Sequence, residues 1–224
     1  MSLLTVVRDV CASVGVTLPQ SVFSGITGNR TMQEMLSLAN EMAQRIAYDT
    51  RDWRTLHTYV VITGDGVRED HPLPENFKRM TLTSNVWRNS TPSVPLTYIS
   101  NPEDWLHRRM RNYSNTGGEW IILNNAIAVL PILAAGDNIR FSCLDKNCVR
   151  LASGGYGEEF VSDLDRYRLD ERLLKLGMIW QWKASHGSPY AEDMGTYSDA
   201  LTNAMGRDAP SPIIVGRRYP AEVP

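Results

Sequence analysis

The sequence predicts an α+β fold: a four-helix bundle formed by N- and C-terminal helix pairs, with an inserted β-rich lobe and an extended C-terminal arm. Three observations predict it. Apolar residues recur at helical spacing in the first fifty-odd residues and again after residue 163. Between those stretches the period drops to two, and beyond residue 208 prolines crowd the chain. The expected divisions are 1–54 with 163–208 as the helical bundle, 55–162 as the β-rich insertion and 209–224 as the arm.

Leu3, Val6, Val7, Val10 and Val14 form one stripe of a first helix, which Pro19 and the loop containing Gly25 and Gly28 break. Thr31-Met32-Gln33-Glu34 reads as a capping box, in which a hydroxyl and a carboxylate each satisfy an orphan backbone N–H. It opens a second helix carrying Met32, Met35, Leu36, Ala39, Met42, Ala43 and Ile46, expected to end near Thr50.

His57 to Ile62 reads as a strand. Gly64-Asp65-Gly66 is expected to turn it into a hairpin with Val67 to Leu73. Further strands are expected at Thr81–Trp87, Val94–Ile99, Trp120–Leu123, Ala126–Leu130 and Asn138–Leu144. Asn124-Asn125 suits a tight turn, because Asn tolerates positive φ. One helix interrupts the series: Asn101 caps, Pro102 takes the first helical position and Glu103 and Asp104 meet the positive end of the dipole.

Ser153-Gly154-Gly155-Tyr156-Gly157 is a loop without P-loop or dinucleotide spacing. Asp170 then begins a helix with Leu173, Leu174, Leu176, Met178, Ile179, Trp180 and Trp182. Apolar nearly all round, it is expected to be the most buried. Ser188-Pro189 opens a last helix with Tyr190, Met194, Tyr197, Leu201 and Met205 on one side. From Ala209 onward, Pro210, Pro212, Pro220 and Pro224 mark an extended arm.

At 224 residues, 42% hydrophobic and 21% charged, the chain has the composition of a globular protein with a real core. No apolar run is long enough to span a bilayer, and Arg8 and Asp9 interrupt the only candidate signal segment, so a soluble protein made in a cytosol is expected. A net charge of −2 gives no global affinity for nucleic acid. Cys11, Cys143 and Cys148 lack disulfide or zinc spacing and read as buried thiols. His57, His71, His107 and His186 are dispersed, with no Gly-x-Ser-x-Gly or His-Glu-x-x-His motif. Asn29-Arg30-Thr31, Asn89-Ser90-Thr91 and Asn112-Tyr113-Ser114 match glycosylation acceptors, chemistry that a cytosolic product does not meet. The sequence points to no catalytic residue, cofactor or metal.

Three clusters carry alternatives. Arg108, Arg109 and Arg111 read as a channel or partner patch, on DNA phosphates or a neighbour's acids, or as a solvated helix face. Asp163, Asp165, Asp170 and Glu171 read as capping and solvation for the next helix; a carboxylate pair of a cell-wall hydrolase is the rival reading. In the arm, Ile213, Ile214, Val215, Arg217, Arg218 and Tyr219 suit a segment buried on a partner or a neighbouring subunit, or a disordered terminus.

Several segments together resemble phage head-to-tail adaptors of the tail tubular type. They are Leu3 to Val16, Asp52-Trp53, Leu73-Pro74-Glu75-Asn76-Phe77, Asn101 to Trp105, the helix from Asp170 through Leu174, Leu176, Gly177, Ile179 and Trp180, and Tyr190-Ala191-Glu192. They run in order over residues 3 to 205, and the arm after Ala209 falls outside the match. The resemblance implies a non-enzymatic virion protein at the head–tail junction, assembled in the host cytoplasm. It implies a ring, commonly of twelve copies, between the portal and a downstream tail or nozzle protein. DNA would pass through it without sequence-specific binding, and no membrane would be involved. A tail terminator or collar protein, or a virion-associated hydrolase, are the alternative readings.

Overall fold

The structure, a computed structural model, describes residues 1–24, 28–92, 94–111 and 117–208. Gly25, the acceptor motif at 112–114 and the arm from 209 lie outside the described residues. Within them the chain is α+β, with five α-helices and three small sheets.

Helix α1 (Leu3–Val14) buries Leu3, Val6, Val7 and Val10, the stripe its sequence presents, and stops at Gly15 in the left-handed conformation, φ 75°. Helix α2 (Arg30–Tyr48) is capped by Asn29, two residues before the expected cap Thr31. The Asn29 side-chain oxygen accepts from the N–H groups of Thr31 and Met32, at 3.1 and 3.4 Å. Asn29 is already extended and its oxygen reaches those donors, so Glu34 does not close a capping box. It pairs with Arg30 at 2.7 Å instead.

Helix α4 (Glu171–Ser185), capped by the Asp170 carboxylate on the Arg172 N–H, packs against α1, α2 and α5 (Ala191–Asp208). Gly177 permits the close approach: a Cβ there would lie 2.4 Å from the Met42 methyl and 3.3 Å from the Tyr197 ring. Residues from both ends of the sequence therefore share one apolar core, from Val6, Met35 and Ile46 to Leu174, Met178 and Tyr197. Helix α5 is the most peripheral contributor. It buries Tyr197 and Ala204 and packs Leu201 and Met205 against the core, but Met194, and Tyr190 just ahead of the helix, are exposed, so only the later part of the expected stripe is covered.

After a 3-10 turn (Arg54–Leu56), β1 (His57–Thr63) pairs antiparallel with β8 (Asn138–Asp145) along its whole length. On the far side of β8 lie β3 (Phe77–Met80) and β4 (Trp87–Arg88). The second sheet runs β2 (Asp70–Pro72), β7 (Ala126–Leu130), β6 (Glu119–Leu123), β5 (Thr97–Tyr98). Its β6–β7 hairpin turns at Asn124-Asn125, φ 48° and 58°, as expected from two adjacent Asn.

The hairpin expected at Gly64-Asp65-Gly66 does not form. Asp65 does turn the chain, its carboxylate accepting from Val67 and Arg68 N–H at 2.9 and 2.8 Å. Yet β1 and β2 enter different sheets. Gly64 serves another purpose: the 133–137 loop presses on it so closely that a Cβ would lie 2.6 Å from the Ala134 carbonyl oxygen. The inner face of β1–β8 and the second sheet enclose a separate core around Val60, Trp120, Ile127, Val129, Ile139 and Phe141. Helix α3 (Pro102–Met110) places Trp105 in a third, small cluster with Ile99, Ile121 and Ala128.

The third sheet, β10 (Tyr156–Gly157), β9 (Val149–Arg150) and β11 (Arg166–Tyr167), lies on the helical side. Its Val149 and Tyr167, with Cys148 and Phe160, belong to the helical core; all but Tyr167 fall inside the stretch 55–162 that sequence reading gives to the insertion. The Tyr167 hydroxyl donates to the Ala43 carbonyl at 2.7 Å, which fixes the sheet to α2.

Candidate functional site

Helix α3 carries the basic cluster seen in the sequence, and its caps form as expected: Asn101 accepts from Glu103 N–H at 3.0 Å and Pro102 opens the first turn. Its charges are largely engaged. Arg108 pairs with Glu119, whose side chain is 1% exposed, and Arg109 Nε lies 2.9 Å from Glu69. Burial pushes the Glu69 carboxyl above its ordinary range, outweighing the Arg109 guanidinium beside it. Both arginines thereby hold α3 to the strands beneath, while Arg111 stands exposed just beyond the helix.

A second basic surface has no carboxylate attached. On the third sheet Arg150 is in register with Tyr156 on one side and Arg166 on the other, and all three are exposed. Among the described residues neither Arg150 nor Arg166 has an acidic partner. Like charges directly opposite on a sheet repel, so this row favours an approaching anion. Arg168 adjoins it, its guanidinium carbon 4.3 Å from the Tyr156 ring centre, and is held by Asp145 at 2.8 Å. Sequence reading missed this row because loops separate its members. The Arg166-x-Arg168 spacing at strand period was the available signal.

The outer face of the first sheet is apolar. Val61 on β1, Arg140 on β8 and Trp87 on β4 form one row across three strands, next to Tyr59 opposite Ser142. Tyr59 is 80% exposed and Trp87 42%. They line an open groove of about 720 Å³ that has Arg140 in its wall. An exposed apolar face centred on a single cation is the composition of a protein-binding surface.

The acidic cluster divides by role. Asp170 caps α4, as expected, whereas Glu171 pairs with the N-terminal amine. Asp163 instead accepts from Val22 N–H at 2.8 Å, and the fully buried Asp165 organises the 152–165 loop. Among the described residues no group of His, Cys, Asp and Glu is placed to hold a metal ion, and no helix is long and apolar enough to cross a membrane. Cys11, Cys143 and Cys148 are buried free thiols; burial pushes Cys143 and Cys148 up to about 11. Ile213, Ile214, Val215, Arg217, Arg218 and Tyr219 lie outside the described residues. Compared with known proteins, the chain matches no family model and no curated relative.

Proposed function

We propose that this chain is a structural subunit of a tailed-phage virion: the head-to-tail adaptor, which extends the portal ring and leads DNA into the tail. In this reading α1, α2, α4 and α5 act as a four-helix bundle (1–54 and 163–208) and 55–162 as the inserted lobe. The bundle meets the portal, the lobe meets the downstream tail or nozzle protein, and the arm 209–224 contacts the portal or an adjacent subunit. The protein works without a cofactor, at the head–tail junction, after assembly in the host cytoplasm.

The observation that carries the reading is the seating of α4 on both α1 and α2, so that the two ends of the sequence share one core while a β-rich part keeps its own. Such a subunit has distinct ends and distinct sides. Copies joined face to opposite face close into a ring when the rotation between them fits. The apolar Tyr59–Val61–Trp87 face and the Arg150–Arg166 row supply two chemically different side surfaces. A joint that holds pressurised DNA needs interfaces of about 1,600 Å² or more per contact.

The test is to mix the purified chain with rings of the cognate portal protein and image the product by electron microscopy. A closed ring of this chain, seated on the portal and continuing its channel, is the expected result. Binding to the tail-tube end with none to the portal would replace the adaptor by a terminator.

A further inference from the structure

Arg150 on β9 and Arg166 on β11 are directly opposite in the third sheet. Their neighbours Val149 and Tyr167 are buried, so by strand alternation the two guanidiniums share the solvent face. Opposed positions lie about 5 Å apart at Cβ, close enough for one small anion to touch both side chains. The carboxylates nearest in sequence are committed elsewhere. Asp165 takes the N–H groups of Ala152, Val161 and Ser162, Asp163 takes Val22 N–H, and Glu158 lies 3.8 Å from Lys78. Arg168, by contrast, holds Asp145 at 2.8 Å. Both Arg150 and Arg166 line two clefts. One of them also contains Glu171. The other, of about 520 Å³, is walled by Ser2, Gly154, Gly155 and Leu164 and has no acid in its lining. Gly154 and Gly155, at φ 100° and 80°, take a conformation that side chains disfavour, and a Cβ on either would meet nothing within 4 Å. That rim is backbone, and open.

We propose that this cleft binds a small diphosphate anion, clamped between the guanidiniums of Arg150 and Arg166. The ligand class follows from the donors. A carboxylate presents two coplanar oxygens, which a single guanidinium fork already satisfies. Two forks from neighbouring strands offer more donors than that, and they suit tetrahedral phosphoryl groups that carry several oxygens and two or more charges. The bound anion also removes the repulsion between two like charges held in register, a cost the empty sheet bears. A cleft of this volume has room for an organic group attached to the diphosphate as well as for the diphosphate alone.

The site is independent of the adaptor reading, and its test needs only the isolated full-length chain. Inorganic pyrophosphate is titrated at low ionic strength, with calorimetry for affinity and amide NMR shifts for location. The expected result is saturable binding of one anion per chain that moves the amide signals of Arg150, Gly155 and Arg166. Affinity should fall about 10-fold in Arg150→Gln and in Arg166→Gln, and further in the double variant, while Arg111→Gln, an exposed cation elsewhere, binds as the native chain does. Both arginines are exposed and repel each other, so the variants should unfold at or above the native temperature, which separates lost binding from lost fold. ADP is the second arm: affinity equal to that of pyrophosphate assigns the diphosphate alone, tighter binding adds the nucleoside, and either upholds the proposal. Absence of saturation at about 10 mM pyrophosphate overturns it. So does undiminished affinity in the double variant, or malonate binding as tightly as pyrophosphate. A single-stranded oligonucleotide that engages the two arginines when pyrophosphate does not would also overturn it.

Discussion

Asp165 is 0% exposed, and its carboxylate takes the N–H groups of Ala152, Val161 and Ser162 at 2.8, 2.8 and 2.7 Å. Its own carbonyl accepts Leu3 N–H at 2.8 Å, so one residue ties the loop ahead of β11 to the start of α1. Replacing it by Ala leaves three backbone donors without the acceptor that a fully buried carboxylate supplied. The expected loss is about 3 kcal/mol or more in urea unfolding, and about half that for Asp165→Asn, which keeps one acceptor oxygen. A loss under about 1 kcal/mol in Asp165→Ala would mean the loop resatisfies itself. Neither this role nor the neutralisation of Arg108 by Glu119 was legible beforehand. Charge runs and acid clusters show which residue types are close in sequence, whereas these partners are set by how α3 and the 152–165 loop fold back.

The helices were the most legible elements, because an apolar stripe specifies a helix locally: α1, α3 and α4 start at or beside the expected residues. The β6–β7 hairpin was equally readable, since the partner lies across one turn and Asn124-Asn125 takes the positive φ that turn needs. The pairing of β1 was not. Its partner β8 lies some eighty residues away, and period-two alternation carries no address for a distant strand. Gly64 records the difference between the two cases. Read locally it is a hairpin residue; in the fold it is where the 133–137 loop lands, with Leu133 Cβ 2.4 Å from the position of an added Cβ. Gly64→Ala is expected to cost about 3 kcal/mol, because backbone must move to make room. Gly66→Ala, strained only by its φ of +79° with no neighbour nearer than 3.4 Å, is expected to cost about 1 kcal/mol. Equal losses in thermal or urea unfolding would remove the close-packing account of Gly64.

Across the whole molecule, polar ties join the helical side to the β-rich part: Asp52 holds Arg79 at 2.7 Å and the Leu82 N–H at 2.8 Å, and Arg168 makes three such bonds of its own. Its guanidinium donates to the Asp145 carboxylate at 2.8 Å, to the Asn147 carbonyl and to the Thr55 carbonyl at 3.0 Å. It thereby joins the end of β8, the turn that launches β1 and the strand β11 beneath the helices. The Tyr48 hydroxyl, at the end of α2, reaches the Asp145 and Lys146 carbonyls nearby. A planar fork is needed to serve three acceptors in different directions, so lysine cannot substitute. Arg168→Met removes the fork and strands Asp145, which is mostly buried; the expected cost is about 3–5 kcal/mol, as for a broken buried pair. Arg168→Lys should recover less than half of it. If the tie rather than the volume is what matters, Asp145→Asn combined with Arg168→Met will cost less than the two single changes added together, by about 1–3 kcal/mol. The measurement is a double-mutant cycle in urea, followed by tryptophan fluorescence, which reports Trp53 and Trp182 in the helical core and Trp120 in the β core. A strictly additive cycle would show that the Arg168–Asp145 pair is incidental to how the two halves of the molecule are held.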